Sequence, residues 1–315
     1  MDNFQELLAV NTLRDKLSVS LFNQVLSELG ITIDEFERRI KGINEEYEFL
    51  LGLYLSGICD TITLPDETYY KLFNSYTSDI MVTIGKRKVL IECKYTEEDF
   101  FKFSKGTLQR KVDYANNLGF ELYFAIKFSK IGQWMLVGHE SIAKEKVLTT
   151  DFKKCEMGNV LGFRKYMVKG LEFISIFKDS QKNTLGIQYP PYGYLSSEEL
   201  KVNGKSFYKI KKKDDDMHGY LFLTQGFKSV VIPSIINKDG ITIVTEKLDS
   251  IMVSEFELIL APMKQIVKEN LNKMSSIDHL NSFKQNKEGY LTRENIRSFI
   301  SSMPNKCFIL LSFQK

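Results

Sequence analysis

Hydrophobic positions follow a helical period at the start of the chain and a strand period after residue 60. Leu7, Leu8, Leu13, Leu17, Leu21 and Val25 recur at roughly helical spacing, which predicts helix through the first thirty residues, closed by Gly30. Thr32-Ile-Asp-Glu35 then reads as a capping box, in which Thr32 and Glu35 satisfy each other's free amides at the start of a second helix. Phe36, Ile40, Ile43, Tyr47, Leu50 and Tyr54 form its apolar stripe, and Gly57 ends it. Beyond it, Thr61–Leu64, Asp79–Ile84 and Lys88–Lys94 are short and rich in β-branched residues, with Gly85-Lys86-Arg87 turning the last two into a hairpin. A helix is expected at Lys105–Asn117. Glu121–Phe128 follows, apolar on both faces as a covered central strand is, and then a strand at Gln133–Val137.

The alternation of helices and strands predicts an α/β fold, a mixed central sheet flanked by helices. Three parts are expected: an N-terminal helical lead-in (1–39), a core (40–148) and a C-terminal α+β accessory region (149–315). In that last region the pattern predicts hairpins at Lys211–Met217 and around Asn237-Lys-Asp-Gly240. It also predicts helices at Ser254–Met274 and Thr292–Ser301 and a strand at Cys307–Phe313, while Tyr189-Pro-Pro-Tyr192 interrupts regular structure.

Composition narrows the classes. With 315 residues, 43% of them hydrophobic, the chain can bury a large core, yet no run of about 18 apolar residues suits a membrane span. The N-terminus lacks the basic start and apolar stretch of a secretory signal. Cys59, Cys93, Cys155 and Cys307 match no zinc or disulfide spacing and read as reduced thiols of a cytoplasmic protein. A net charge of +3 permits a nucleic-acid binder without demanding one.

Chemistry concentrates in the segment from Ser78 to Lys94. Antiparallel pairing of the two strands brings Asp79, at the start of one, to Glu92, near the end of the other. Side-chain alternation turns Glu92 and Lys94 to one face and Ile91 and Cys93 to the opposite one. Two carboxylates suit Mg²⁺, with Mn²⁺ as a substitute. A neighbouring lysine suits the water that attacks a phosphodiester. The pattern Glu-x-Lys alone is cheap, since Asp151-Phe-Lys153 and Glu199-Leu-Lys201 also satisfy the acid-x-Lys form, but neither ends an apolar strand.

Over roughly residues 41–140 the arrangement resembles the PD-(D/E)xK nuclease superfamily, most of all its restriction-endonuclease-like and archaeal Holliday-junction-resolvase branch. The carrying features are the helix with Lys41-Gly42 and a following glutamate, the Asp79–hairpin–Glu92-Cys93-Lys94 segment, Gln109 on the next helix, and Ile126-Lys127 before Gln133-Trp-Met-Leu-Val137. Ser78 stands where the family usually has proline. The resemblance implies metal ligation by Asp79, Glu92 and the Cys93 carbonyl, a water-positioning Lys94, and Gln109 steadying the lysine or the water. It also implies a glutamate on the preceding helix, among Glu45, Glu46 and Glu48. Glu46 fits the spacing from Gly42 and lies among Ile43, Phe49 and Leu50, where a carboxylate needs a partner such as the metal. Asp66, after Pro65, rivals Asp79 but sits in a turn.

The expected function is therefore a Mg²⁺-dependent endonuclease cutting DNA. RNA cleavage, junction resolution or repair, and a non-catalytic nucleic-acid-binding role remain alternatives. An accessory region at 149–315 fits restriction or anti-phage defence and offers a surface for a homodimer or a partner protein. Lys86, Arg87, Lys88, Lys102, Lys105, Arg110 and Lys111 surround the site and suit a phosphate backbone, and Lys127 suits either a phosphate or a snorkelling position. Trp134 reads as core.

Overall fold

Ser18 divides the N-terminal helical run in two. The computed structural model, which describes residues 4–14, 16–65, 77–142, 145–213, 217–228, 231–260, 292–304 and 307–311, has α1 at Phe4–Leu13 and α2 at Val19–Glu28. The Ser18 hydroxyl accepts from the Leu21 amide and so caps α2, which makes the Leu13–Leu17–Leu21 spacing bridge two helices and not one. Gly30 adopts φ 69°, and the Ile31 amide donates back to the Leu26 carbonyl, closing α2. Thr32 caps α3 (Ile33–Ser56) by accepting from the Glu35 amide at 3.2 Å, while the Glu35 carboxylate accepts from Arg39. Gly57, left-handed at φ 62°, ends α3.

Strands β1 (Thr61–Thr63), β2 (Ile80–Ile84) and β3 (Arg87–Thr96) begin the central sheet. A short β4 (Phe100–Lys102) pairs outside it with β7 (Lys146–Leu148). Helix α4 (Lys105–Leu118), capped by Ser104 and stopped by Gly119, leads to β5 (Glu121–Phe128) and β6 (Gln133–Gly138). The order is β1-β2-β3-β5-β6, with β3 and β5 parallel and the other neighbours antiparallel. A parallel pair needs a crossover, and α4 supplies it. This is the mixed, helix-flanked α/β sheet expected of a restriction-endonuclease-like core.

The alternation of β5 fixes what each face of the sheet meets. Leu122, Phe124, Ile126 and Phe128 join the apolar cluster containing Tyr114 and Ala115 of α4. The intervening side chains turn to α3, where Lys127 meets Glu45 and Glu48. Because Glu92 is level with Phe124 and Cys93 with Ala125, Glu92 shares the α4 face and Cys93 the α3 face. Trp134 is buried against Phe49 of α3, ring centroids 4.9 Å apart, as its place in an apolar run predicts.

By contact density the chain forms two compact units, Met1–Gly162 and, separately, Phe163–Pro262 with Leu291–Gln314. Short α5 (Met157–Leu161) closes the first. The second contains β8 (Lys165–Val168), β9 (Leu171–Lys178), β10 (Gln188–Tyr189), β11 (Gly193–Val202) and β12 (Lys205–Ile210). Then come α6 (Met217–Lys228), β13 (Ser234–Lys238), β14 (Ile241–Leu248), β15 (Ile251–Ser254), α7 (Arg293–Ser302) and β16 (Phe308–Leu311). Strands β10-β11-β9-β14-β13 form one antiparallel sheet with β12 on β11, and β15-β8-β16 form another.

The Asp239-Gly240 hairpin appears as expected, with both residues at positive φ. Of the hairpin expected at 211–217, residues 211–213 are not in a strand, Met217 begins α6, and 214–216 lie outside the described residues. The hairpin is instead at Asn203-Gly204, φ 49° and 77°, joining β11 to β12. Of the helix expected at Ser254–Met274, residues 255–260 are helical and the rest lies outside the described residues, as does Asp66. Among the described residues no helix is long and apolar enough to cross a membrane.

Candidate active site

The β2–β3 hairpin turns tightly at Gly85 (φ 58°), whose amide donates to Asp60. Its register pairs Ile80 with Ile91, so Asp79, one residue outward, lies opposite Glu92 on the α4 face. The Asp79 carboxylate accepts from the Cys93 amide at 2.6 Å, which fixes the acid against the end of the partner strand. Glu92 is buried, and Lys94, two residues along, donates to its Oε1 at 2.7 Å. The three residues expected to converge do so.

A fourth group is there that sequence reasoning placed only in a general basic surface. Lys111 of α4 is 5% exposed and donates to Glu92 Oε2 at 2.6 Å and also to the Thr77 carbonyl. Both oxygens of Glu92 thus carry an ammonium. The legible signal was its position: Lys111 lies among Leu108, Val112 and Ala115 on the face of α4 that packs on the sheet, where a solvated lysine has no reason to be.

Gln109 is not brought to this cluster. Two residues from Lys111 on a helix means the opposite side, and Gln109 is exposed there, donating to Asp113 at 2.8 Å. Glu46 is partly buried on α3, and its charge acts on Cys93 and Lys94. It does not complete a third carboxylate with Asp79 and Glu92. Among the described residues no three His, Cys, Asp or Glu side chains gather closely enough to hold an ion. Alternation explains this, because α3 covers the Cys93 face of β3 while Glu92 points to α4. Glu45 and Glu48, the other choices, are paired with Lys127, and Glu48 also accepts from Trp134 Nε1 at 3.1 Å. Lys127 is therefore enclosed between carboxylates and is not presented to a phosphate. Of the basic residues around the site, Arg87 is held by Glu121 through two hydrogen bonds.

The electrostatics follow from these contacts. Burial, and next the charge of Glu92, push the Asp79 carboxyl up to about 7, although Lys94, Lys111 and the Cys93 amide oppose the shift. Burial also works against ionised Glu92, but the two lysines outweigh it and hold Glu92 below the usual carboxylate range. Burial disfavours charged Lys94 too, yet Glu92 and Asp79 overcome this and raise it well above an ordinary lysine, so it is an ammonium at neutral pH. The result is an ionised Glu92 neutralised by lysine and an Asp79 that lacks a full counter-charge. The Ser78 hydroxyl beside it is buried without a hydrogen-bond partner.

A hairpin that sets an aspartate against a Glu-x-Lys strand end, on a mixed sheet with a helical crossover, resembles the core of PD-(D/E)xK nucleases. Residues 71–168 match the family model described as archaeal Holliday junction resolvase (hjc). Among solved structures, the chain is similar to Hjc of Archaeoglobus fulgidus, a Holliday junction resolvase from an archaeal hyperthermophile. That similarity is at 20% identity over 39% of this chain and 96% of the other, with a TM-score of 0.32. No curated protein matches the chain.

Proposed function

We propose that this chain is a divalent-metal-dependent endonuclease that hydrolyses phosphodiester bonds in DNA, with branched DNA as its preferred substrate. The observation that carries the reading is the convergence of Asp79, Glu92 and Lys94 on one face at the end of a sheet strand. The family matched over residues 71–168 favours a junction substrate over the restriction or anti-phage role that an accessory region suggests. Paired incision of a junction needs two such centres, which a homodimer supplies.

The donor set suits a hard cation. Asp79, Glu92 and the Cys93 carbonyl offer only oxygen, and Mg²⁺, which keeps several waters, needs no more than one or two carboxylates from the protein. An Asp79 raised by burial and then by its neighbour's charge is the kind of group that a bound cation relieves. When bound, such an ion polarises the phosphate and lowers the pKa of a coordinated water. The chain's own groups do the rest. The Cys93 amide fixes the direction of Asp79. Lys94, a persistent ammonium, donates to the attacking water or a phosphate oxygen and does not act as a base at neutral pH. Glu46 adds negative charge from the α3 side, which favours the ammonium form of Lys94.

The test is to incubate the protein with a four-way junction, linear duplex, single-stranded DNA and RNA, each with Mg²⁺, Mn²⁺ or EDTA. Junction cleavage that requires the metal is expected. Equal cleavage in EDTA, or cleavage of RNA alone, contradicts the proposal.

A further inference from the structure

Glu92 is held by two lysines that differ in every other respect. Lys94 comes from the same strand, retains 31% side-chain exposure and donates to Oε1 at 2.7 Å. Lys111 comes from α4, retains 6% and donates to Oε2 at 2.6 Å. Lys111 has a second anchor, the carbonyl of buried Thr77, two residues before Asp79. Its ammonium therefore ties together the crossover helix, the end of β3 and the segment leading into β2.

An incoming cation meets Glu92 at oxygens that each already accept from an ammonium, so like charges compete there. Displacing Lys111 leaves its charge buried and the Thr77 carbonyl without its donor, both costly inside a packed layer. Displacing Lys94 moves a side chain that is largely enclosed but, unlike Lys111, keeps part of its length in solvent. The two exchange reactions are unequal for that reason.

We propose that Lys111 is a positioning residue, the permanent counter-ion of Glu92, and that Lys94 is the exchangeable one. Resting on the nuclease reading above, this gives the lysines separate tasks. A cation held by Asp79 and Glu92 would free Lys94 to turn to the substrate. Lys111 stays on Oε2, keeps the carboxylate in one orientation and, by retaining one positive charge beside it, moderates how tightly the cation is held. Without Lys111, Glu92 is a stronger but less ordered ligand, so binding and turnover move in opposite directions.

The experiment compares the full-length wild type with Lys111→Gln and Lys111→Arg. Mn²⁺ affinity is read by calorimetry, melting with and without Mn²⁺ by Trp134 fluorescence, and junction cleavage by kcat and KM. Lys111→Gln is expected to bind Mn²⁺ about tenfold tighter, having lost a competing charge at contact distance. It is also expected to gain more thermal stability from Mn²⁺ than the wild type does, and to lose kcat by at least tenfold with little change in KM. Lys111→Arg is expected to recover part of kcat. A role in packing alone predicts equal destabilisation with and without Mn²⁺ and unchanged affinity, and that result overturns the inference. If Lys111→Gln does not fold, lysine Nζ resonances of the wild type decide. The Lys94 signal should shift on adding Mg²⁺ while Lys111 stays, and the converse overturns the assignment. A wild type that binds no divalent cation removes the nuclease reading and this inference with it. A wild type that binds Mn²⁺ with the same affinity as Lys111→Gln removes the inference alone.

Discussion

Replacing Lys127 by methionine isolates the contact that seats α3 on the sheet. Lys127 donates to Glu45 and, at 2.7 Å, to Glu48, and the three side chains are only 10%, 15% and 16% exposed. Despite burial, its pKa lies above that of an ordinary lysine, because Glu48 and Glu45 favour the charged form. Methionine keeps the stem's volume and removes the charge, leaving two carboxylates facing each other in a poorly solvated layer. Breaking a buried pair in this way costs about 3–5 kcal/mol. The residual exposure favours the lower figure, so about 3 kcal/mol is expected. For a unit of this size that corresponds to a fall in melting temperature of roughly 6–12 °C. Trp134 is the only tryptophan and lies beside the network, so its fluorescence during urea unfolding reports this unit separately from the second one. Adding Glu45→Gln and Glu48→Gln to Lys127→Met should restore most of the loss, because no unpaired charge then remains. A loss under about 1 kcal/mol for Lys127→Met, or no recovery in the triple variant, refutes the reasoning.

Other predictions concern pH, the second unit and the helix glutamine. In EDTA the folded chain keeps the Asp79 proton up to about pH 7, while the unfolded chain releases it near 3.8, so between about pH 5 and 7 the native state binds more protons. Metal-free stability should therefore fall as pH rises through that window, by at most about 1.4 kcal/mol per unit, and urea titrations of Asp79→Asn should lack that component. In the second unit, Glu255 is fully buried and takes two hydrogen bonds of 2.8 Å from Arg297. Arg297→Leu should cost about 3 kcal/mol when unfolding is followed by hydrogen exchange in β8 and β15, with Glu255→Gln in the same chain recovering part of it. Gln109→Ala, altering an exposed residue that contacts Asp113, should leave junction cleavage within about twofold of wild type, a change under roughly 0.5 kcal/mol.

What was legible in the sequence depended on how local each signal is. Period-2 alternation and a two-residue turn place Asp79, Glu92 and Lys94 together, because a hairpin's register follows from its turn. The bounds of α4 are equally local, set by Ser104 and Gly119. Gln109 and Lys111 show where local reading fails. Both are polar residues on one helix, and only the packed face separates them, which the apolar neighbours of Lys111 marked more clearly than the family's glutamine did. Lys127 meets Glu45 and Glu48 across about eighty residues of chain, a pairing no periodicity predicts. In the second unit Leu171–Lys178 alternates buried and half-buried along its whole length, and Asn203-Gly204 is a strong hairpin signal. Strand β11 conceals the sheet because Glu198, fully buried with Ser175, Thr224 and Lys228, occupies a position where an apolar residue would be expected.

In the proposed function Asp79, Glu92 and Lys94 form one metal-dependent hydrolytic centre. Its most direct measurement is single-turnover cleavage of a labelled four-way junction in Mg²⁺ by wild type, Asp79→Asn and Lys94→Ala, with Trp134 melting showing that each variant is folded. Cleavage by the wild type is expected, with a loss of at least about a hundredfold, roughly 2.7 kcal/mol of barrier, in both folded variants. Wild-type rates retained by either folded variant would contradict it.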